Sequence, residues 1–529
     1  MIKQRIAFNF SKVTFDLDIP LKGTLFLMAY GEEYRFEFIP QNPNLITPEE
    51  NPSKNLRMVF ELTEVKEIKQ IQDTCSSSIG FILTDNTILP EFIFQFNQNG
   101  PKHLIEFLLF KKYAISSTDK NVIFITLKGG NTSSKSKKKT EKYCLDPRMV
   151  VDYVSHQKII NDFSENSMID KELITCEMLK SCFNSNGTCD MFSYIKEMIF
   201  TKGLDDDARL FIWPYLLNVY DYKLTYKEND KAFCKKVIEY RIYKKQWESM
   251  VDSQKNEVQT IRSFLSVIEN DVKRTDRVLP QYRDLDSPYL LLLKHVLLSY
   301  GVYNRDSGYV QGMGDLISPI IVLFIHEFKE NELVELKDGK IMTVVEAEAF
   351  FFWILDGIMC LLHHDRMFTE IVKNQIFQME RIVAIIAAVH SPLQRWLIKS
   401  NNNNLLFMYG SYLLLFKRDF EGDISKTLRI WDSFFAAENP VVFPRVFLAS
   451  ILILLYPKFL FNTDGTIGEV MDVTKATFPK LDIFEILNIS AQIQEKVLNE
   501  EGGLLNWVLL DLPTKTEYLD YVSKYFPKF

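Results

Sequence analysis

Two short blocks of this 529-residue chain combine residue types that can act on a charged, transferring group. The first, IENDVKRTDR (Ile268 to Arg277), sets Asp271 three residues before Arg274, so a carboxylate and a guanidinium share one helix face. A carboxylate placed there can hold the guanidinium in one rotamer, as an arginine reaching for a distant phosphate requires. The second block, GYVQGMGDL (Gly308 to Leu316), sets Gln311 among Gly308, Gly312 and Gly314, where backbone can come close to a partner. An arginine and a glutamine on neighbouring loops, with no nucleophile beside them, suit the stabilisation of phosphoryl-transfer charge and the orientation of a water. Each also has an ordinary alternative: Arg274 as a solvent or ion-pair arginine, Gln311 as a capping residue. Tyr309, Arg277, Gly312 and Asp315 lie in the same blocks and are read as supporting residues. Upstream, Arg209 and Trp213 in RLFIWPYLL stand at i, i+4 on one face of a helix, and Ile268 opens the first block.

Other chemistries lack their signatures. The sequence holds no GxxxxGK(S/T) phosphate loop, so it is not expected to bind and hydrolyse nucleotide by itself. GxSxG, HExxH and the kinase HRD set are missing too. The run His363–His364–Asp365 resembles a fragment of a metal site. Adjacent helical residues diverge by about 100°, however, and no further ligand cluster is evident, so an interhelix or surface role is expected.

Between the two blocks runs PYLLLLKHVLLSYGVYN, an apolar segment long enough to hold their ends in fixed relation as a helix. Residues 1–128 read as short strands rich in β-branched and aromatic residues, with one amphipathic helix at 102–114, in a module of the size of a small barrel. Residues 129–149 read as a flexible linker carrying Lys135, Lys137, Lys138, Lys139 and Lys142. Such a run serves as a solvated tether or is drawn to anionic lipid. From 150 to 500 apolar residues recur at three- and four-residue spacing and strand-like stretches nearly vanish, so this part is expected to be all-helical. A helical tail, 501–529, closes the chain. The whole is thus read as multidomain, β-rich then all-α.

Sixty-two Lys and Arg against 69 Asp and Glu give a formal net charge of −7, which argues against a dedicated nucleic-acid binder. Seven cysteines without a CxxC pair read as free thiols in a reducing compartment. The N-terminus lacks a signal-peptide core, and apolar runs such as FLASILILLYPKFLF fall short of a membrane span. A cytoplasmic protein is expected.

Taken together and in order, three motifs resemble the TBC-domain family of GTPase-activating proteins for Rab GTPases. RxxxW is met by Arg209 and Trp213, IxxDxxR by Ile268, Asp271 and Arg274, and YxQ by Tyr309, Val310 and Gln311. FKRDF (416–420) and LRIWD (428–432) extend the match to about residues 190–500. The wording RTDR and GYVQGM is similar to the subgroup with an N-terminal pleckstrin-homology-like Rab-binding domain. The resemblance implies an all-α TBC domain that accelerates GTP hydrolysis by a GTP-bound Rab in vesicle trafficking. Arg274 would be an arginine finger and Gln311 a glutamine finger, with Asp271 positioning the first and Tyr309 supporting the second. Nucleotide and Mg²⁺ would belong to the partner, so no cofactor of the chain's own is expected, nor any independent enzymatic activity. Peripheral contact with endomembranes through residues 1–142 is a further expectation, and a catalytically silent Rab-binding scaffold the alternative. One departure stands out: Gly410 and Ser411 occupy positions where relatives usually carry an Arg-Trp pair.

Overall fold

In a computed structural model, the described residues are 4–499 except 31–32, 49–55, 73–75, 95–98, 120, 127–143, 166, 252, 254–258, 305–307, 369–370 and 421. The lysine run of the expected linker and the tail 501–529 therefore lie outside the described residues. The chain divides into two units with a boundary between residues 165 and 166, residues 460–462 grouping with the first.

The first unit is β-rich, as its alternating apolar and aromatic residues predict. Ten strands form one sheet in the order β10-β4-β3-β2-β1-β7-β6-β5-β9-β8. The long hairpin β1 (Gln4–Phe15) and β2 (Leu21–Tyr30) continues antiparallel into β3 (Glu33–Pro40) and β4 (Arg57–Glu61). On the other side of β1 follow β7 (Ile88–Phe94), β6 (Ser77–Leu83) and β5 (Val65–Gln72), then β9 (Val122–Ile125) and β8 (Ala114–Ser116). β10 (Cys144–Leu145) joins β4 in parallel, so the sheet is mixed and its two end strands do not pair with each other. Inward-facing Phe15, Phe36, Phe38, Phe60, Phe81 and Phe92 meet edge-on or stacked, filling the core that the period-2 pattern sets out.

Two boundaries differ from the expected ones. The helix Pro147–Ser164 begins inside the supposed linker, with Asp146 capping Arg148 N, and it sends Val150 and Val154 into the first unit's core. Its helical period made it look like the start of the all-α part. Periodicity reports local form, not which core a face joins.

The second unit is helical with one exception. Between the helices Met313–Phe324 and Val344–Leu361, strands β11 (Ile325–Lys329), β12 (Leu333–Leu336) and β13 (Ile341–Thr343) form a three-stranded antiparallel sheet. This sheet corrects the all-helical expectation for 150–500; at its turns Asn331 and Glu332 both take positive φ, the requirement of a tight hairpin, and Gly339 does the same at the next. Val334, Leu336 and Met342 bury the inner face.

Three helices position the two chemical blocks. The helix Gln259–Val272 carries Ile268, fully buried, on its inner face and ends within the first block, one residue after Asp271. The spacer forms as expected over Pro288–Tyr303, started by Ser287, whose hydroxyl accepts from Tyr289 N, with Pro288 in the first turn. At Gly301 a Cβ would stand 2.1 Å from the Phe264 ring, so glycine sets the close approach of these two helices. The third helix, Met313–Phe324, starts at Gly312 with φ 107°, a left-handed conformation that other residues adopt only at a cost.

The helix Phe443–Asn462 is 20 residues long with mean hydropathy 1.6, longer than the broken apolar run in the sequence suggested. Its apolar stretch is 83 % buried within the protein, the behaviour of a core helix.

Candidate functional site

Asp271 is the joint of the site. Only 4 % exposed, it sits in the last turn of its helix. One carboxylate oxygen accepts from the Tyr309 hydroxyl and from Gly312 N at 3.1 Å. Its other oxygen lies 3.7 Å from Arg274 Nη2. Thr275, buried beside it, donates to the Asp271 carbonyl at 2.9 Å. A single buried anion thus ties the arginine block to the glutamine block across 41 positions. Its stronger bonds go to the glutamine block; its link to Arg274 is the looser one. Burial and the Asp271 charge both push the Tyr309 phenol far up, so that hydroxyl stays a donor at any physiological pH.

Arg274 itself projects outward, its side chain 65 % exposed and its Nε donating to the Asn270 carbonyl at 3.1 Å. Gln311, between buried Tyr309 and buried Gly312, is exposed as well. Both line one cleft of about 440 Å³ together with Asp271, Asp276, Arg277, Asp315, Lys417 and Arg418. Arg277 turns back to the chain, donating to the carbonyls of Tyr282 (2.6 Å) and Arg283, so it braces the loop below the cleft.

The floor is a buried ion network. Asp315, 2 % exposed, accepts from Lys417 Nζ (2.9 Å), Arg418 Nε (3.0 Å) and Arg418 Nη2 (2.6 Å). Lys417 also reaches Asp276, which in turn accepts from the Ser318 hydroxyl at 2.6 Å. The Arg418 side chain is 60 % exposed at the cleft while both Asp315 oxygens hold its fork. Lys417, Arg418 and Asp276 did not stand out from spacing; the signal was the pair of adjacent cations in FKRDF.

Arg209 and Trp213 are elsewhere. They converge on Asp432, which is fully buried: Arg209 Nε and Nη2 donate to it at 3.1 and 2.8 Å, and Trp213 Nε1 at 3.0 Å. Leu204 N adds a fourth bond at 3.1 Å, and Arg209 Nη1 reaches Asp206 at 2.7 Å. Burial pushes the Asp432 carboxyl up and the Arg209 guanidinium opposes it. This pair is a structural rivet between the helices Asp206–Leu216 and Ile424–Ala436, and neither residue lines the cleft.

Gly410 lies in the short helix Tyr409–Leu413 with open space around its Cβ position, while Ser411 donates to Asp419 at 2.9 Å. His364 is buried, its ring Nε2 donating to the Leu413 carbonyl at 2.9 Å, an interhelix role. Among the described residues no group of three or more His, Cys, Asp or Glu is placed to hold a metal ion.

Residues 206–460 match the family model of the Rab-GTPase-TBC domain. TBC1 domain family member 17 of Mus musculus is 31 % identical over 238 residues, 45 % of this chain and 33 % of that protein. The GTPase-activating protein gyp7 of Schizosaccharomyces pombe is 26 % identical over 383 residues, 66 % of this chain and 47 % of that protein. The chain therefore spans between a third and about half the length of these curated relatives. A solved structure, the Ypt/Rab-GAP domain of Gyp1p, aligns over 64 % of this chain and 98 % of its own with a TM-score of 0.46 at 18 % identity. The family model and the relatives support the Rab-GTPase-TBC domain family for residues 206–460, the segment that carries the cleft and the Arg209–Asp432 rivet.

Proposed function

We propose that this chain accelerates GTP hydrolysis by a Rab-family GTPase in its GTP form, supplying Arg274 and Gln311 to the partner's active site. The observation that carries this reading is the Asp271 carboxylate, which joins the two blocks while leaving Arg274 and Gln311 exposed in one cleft. A guanidinium entering a partner's site neutralises charge that builds on the transferring phosphoryl group, and a carboxamide both donates to and accepts from an attacking water. In Ras, an arginine finger supplied in trans accounts for a factor of roughly 10³ to 10⁵. Nucleotide and Mg²⁺ arrive with the partner in this scheme, and the chain performs no hydrolysis alone. The names of the matched relatives point the same way.

The test is multiple-turnover GTP hydrolysis across a panel of Rab proteins with the wild-type chain and the Arg274→Ala/Gln311→Ala double variant. At least one Rab should be stimulated by wild type and fall back by about 10³-fold or more with the variant. A double variant that retains full stimulation sinks the finger reading. Binding without stimulation on any Rab identifies the chain as a scaffold instead.

The same reading places the protein in the cytoplasm and on the surface of trafficking membranes. It assigns the β-rich first unit, as a pleckstrin-homology-like module, to Rab binding and the lysine run to anionic lipid. Co-sedimentation of the full chain with anionic liposomes at physiological salt tests the membrane part; protein that stays in the supernatant rules it out.

A further inference from the structure

Away from the cleft, three elements of the second unit bring arginines together: the turn His364–Met367 with Arg366, the helix Ile371–Val389 with Arg381, and the helix Phe443–Asn462 with Arg445. Arg381 is 1 % exposed, and its Nε, Nη1 and Nη2 have no hydrogen-bond partner among the described residues. The Phe377 ring lies 5.4 Å from the guanidinium carbon and offers a face but no acceptor. Arg445, also buried, is engaged by the Gln378 carboxamide at 3.1 Å and by Tyr412, both neutral groups. Among the described residues Glu380 also acts on Arg381, and its attraction is weaker than the repulsion from Arg445 and Arg366.

The surroundings report the same excess of positive charge. Burial first, then Arg445, lowers Arg381 to about 9. Burial likewise lowers His364 to about 4, with Arg445 adding to it, and burial lowers His363 too, with Arg366 adding to it and Asp365 opposing. A guanidinium carries five donors and no acceptor, and stripping its water without replacement is among the costliest acts of folding. A buried charge with no hydrogen-bonded counter-charge among the described residues is the case that native proteins avoid, and an orphaned buried donor points to an ion or water at the site. Water can satisfy the donors but not the charge.

We propose that Arg381, Arg445 and Arg366 bind a phosphate-class oxyanion between these three elements, with the Arg381 fork as its buried ligand. A tetrahedral oxyanion matches the planar fork in a bidentate way, and one dianion can bridge two or three guanidinium groups. The phosphate can come as the free ion or as a lipid headgroup, so the experiment has an arm for each. This site is independent of the proposed Rab activity and shares no residue with the cleft.

The full chain, exchanged into chloride at constant ionic strength, is heated with and without millimolar inorganic phosphate, alongside Arg381→Met. Native mass spectrometry of the freshly purified wild type records any retained ion. Phosphate should raise the wild-type melting temperature by about 2 °C or more over chloride and leave Arg381→Met unmoved. If that variant fails to fold, Arg381→Lys keeps the charge without the fork, and its phosphate affinity should be about tenfold weaker. Sedimentation with phosphatidylinositol-phosphate vesicles that exceeds sedimentation with phosphatidylserine vesicles, and that is lost in the same variant, assigns the headgroup as the source. Stabilisation by free phosphate alone assigns the ion. No mass increment, no phosphate-specific stabilisation and no vesicle preference, or a variant that responds like wild type, overturns the proposal.

Discussion

At Asp271 one carboxylate does what two loops would otherwise have to do separately. It holds the Tyr309 hydroxyl and Gly312 N on the glutamine side and stands 3.7 Å from Arg274 on the other. Asp271→Asn keeps the size but turns an amide N–H toward one of those donors. Stimulated hydrolysis should drop by about 10²-fold, as expected for catalytic groups displaced by about 1 Å, while circular dichroism stays that of wild type. Unchanged stimulation would detach Asp271 from positioning. His364 makes a second prediction. Its imidazole is lowered to about 4 in the folded chain, against an ordinary value near 6.5, so between those values the unfolded state holds the extra proton. Stability therefore falls as pH drops through that window, by at most about 3 kcal/mol for this residue. Denaturant titrations at several pH values should show His364→Gln, which can still donate to Leu413, with a flatter acid limb. How much of the site the sequence disclosed is visible here as well. The i, i+3 spacing of Asp271 and Arg274 is local, and a helix turns it into proximity. That Asp271 prefers Tyr309 and Gly312 to Arg274 is set by a packing 38 to 41 positions away, which no spacing rule encodes.

The elements repeat the lesson one level up. The spacer Pro288–Tyr303 was legible because its cap, its proline and its apolar run agree on one helix. The three-stranded insert at 325–343 escaped notice because strands of three to five residues carry too few alternations to stand against the helices around them. Arg209 and Trp213 were legible as a shared face, but Asp432, their common partner, lies 219 positions after Trp213. Replacing it tests the rivet: Asp432→Ala strands a buried guanidinium and should cost about 3–5 kcal/mol in a urea titration. Stimulated hydrolysis per folded molecule should be retained at low temperature. At the entrance of the helix Met313–Phe324, Gly312→Ala meets a positive φ and the Leu414 side chain 2.8 Å from its Cβ. A loss of about 1–2 kcal/mol is expected from the left-handed backbone alone. A fall in stimulation larger than that of stability would show that the Gln311 loop has moved.

On the scale of the molecule, each unit buries its own apolar residues, so the helical unit starting at residue 166 is a fragment expected to fold without the first. It should keep the turnover number of the full chain on a responsive Rab, and any change in KM then measures what the first unit adds to binding. The shift from strand to helix announced two units, but their boundary could not be read from periodicity, because the helix Pro147–Ser164 has helical form and a β-unit core. The cleft itself carries a final consequence. Four cations line it, Arg274, Arg277, Lys417 and Arg418, against Asp271, Asp276 and Asp315. The chain as a whole is at −7, so the near-balance in the cleft stands apart from an acidic background. Long-range attraction needs a surplus of one sign, and this surface offers almost none. These cleft charges themselves would add little steering to a partner's approach, and discrimination between partners would reside in how long each stays.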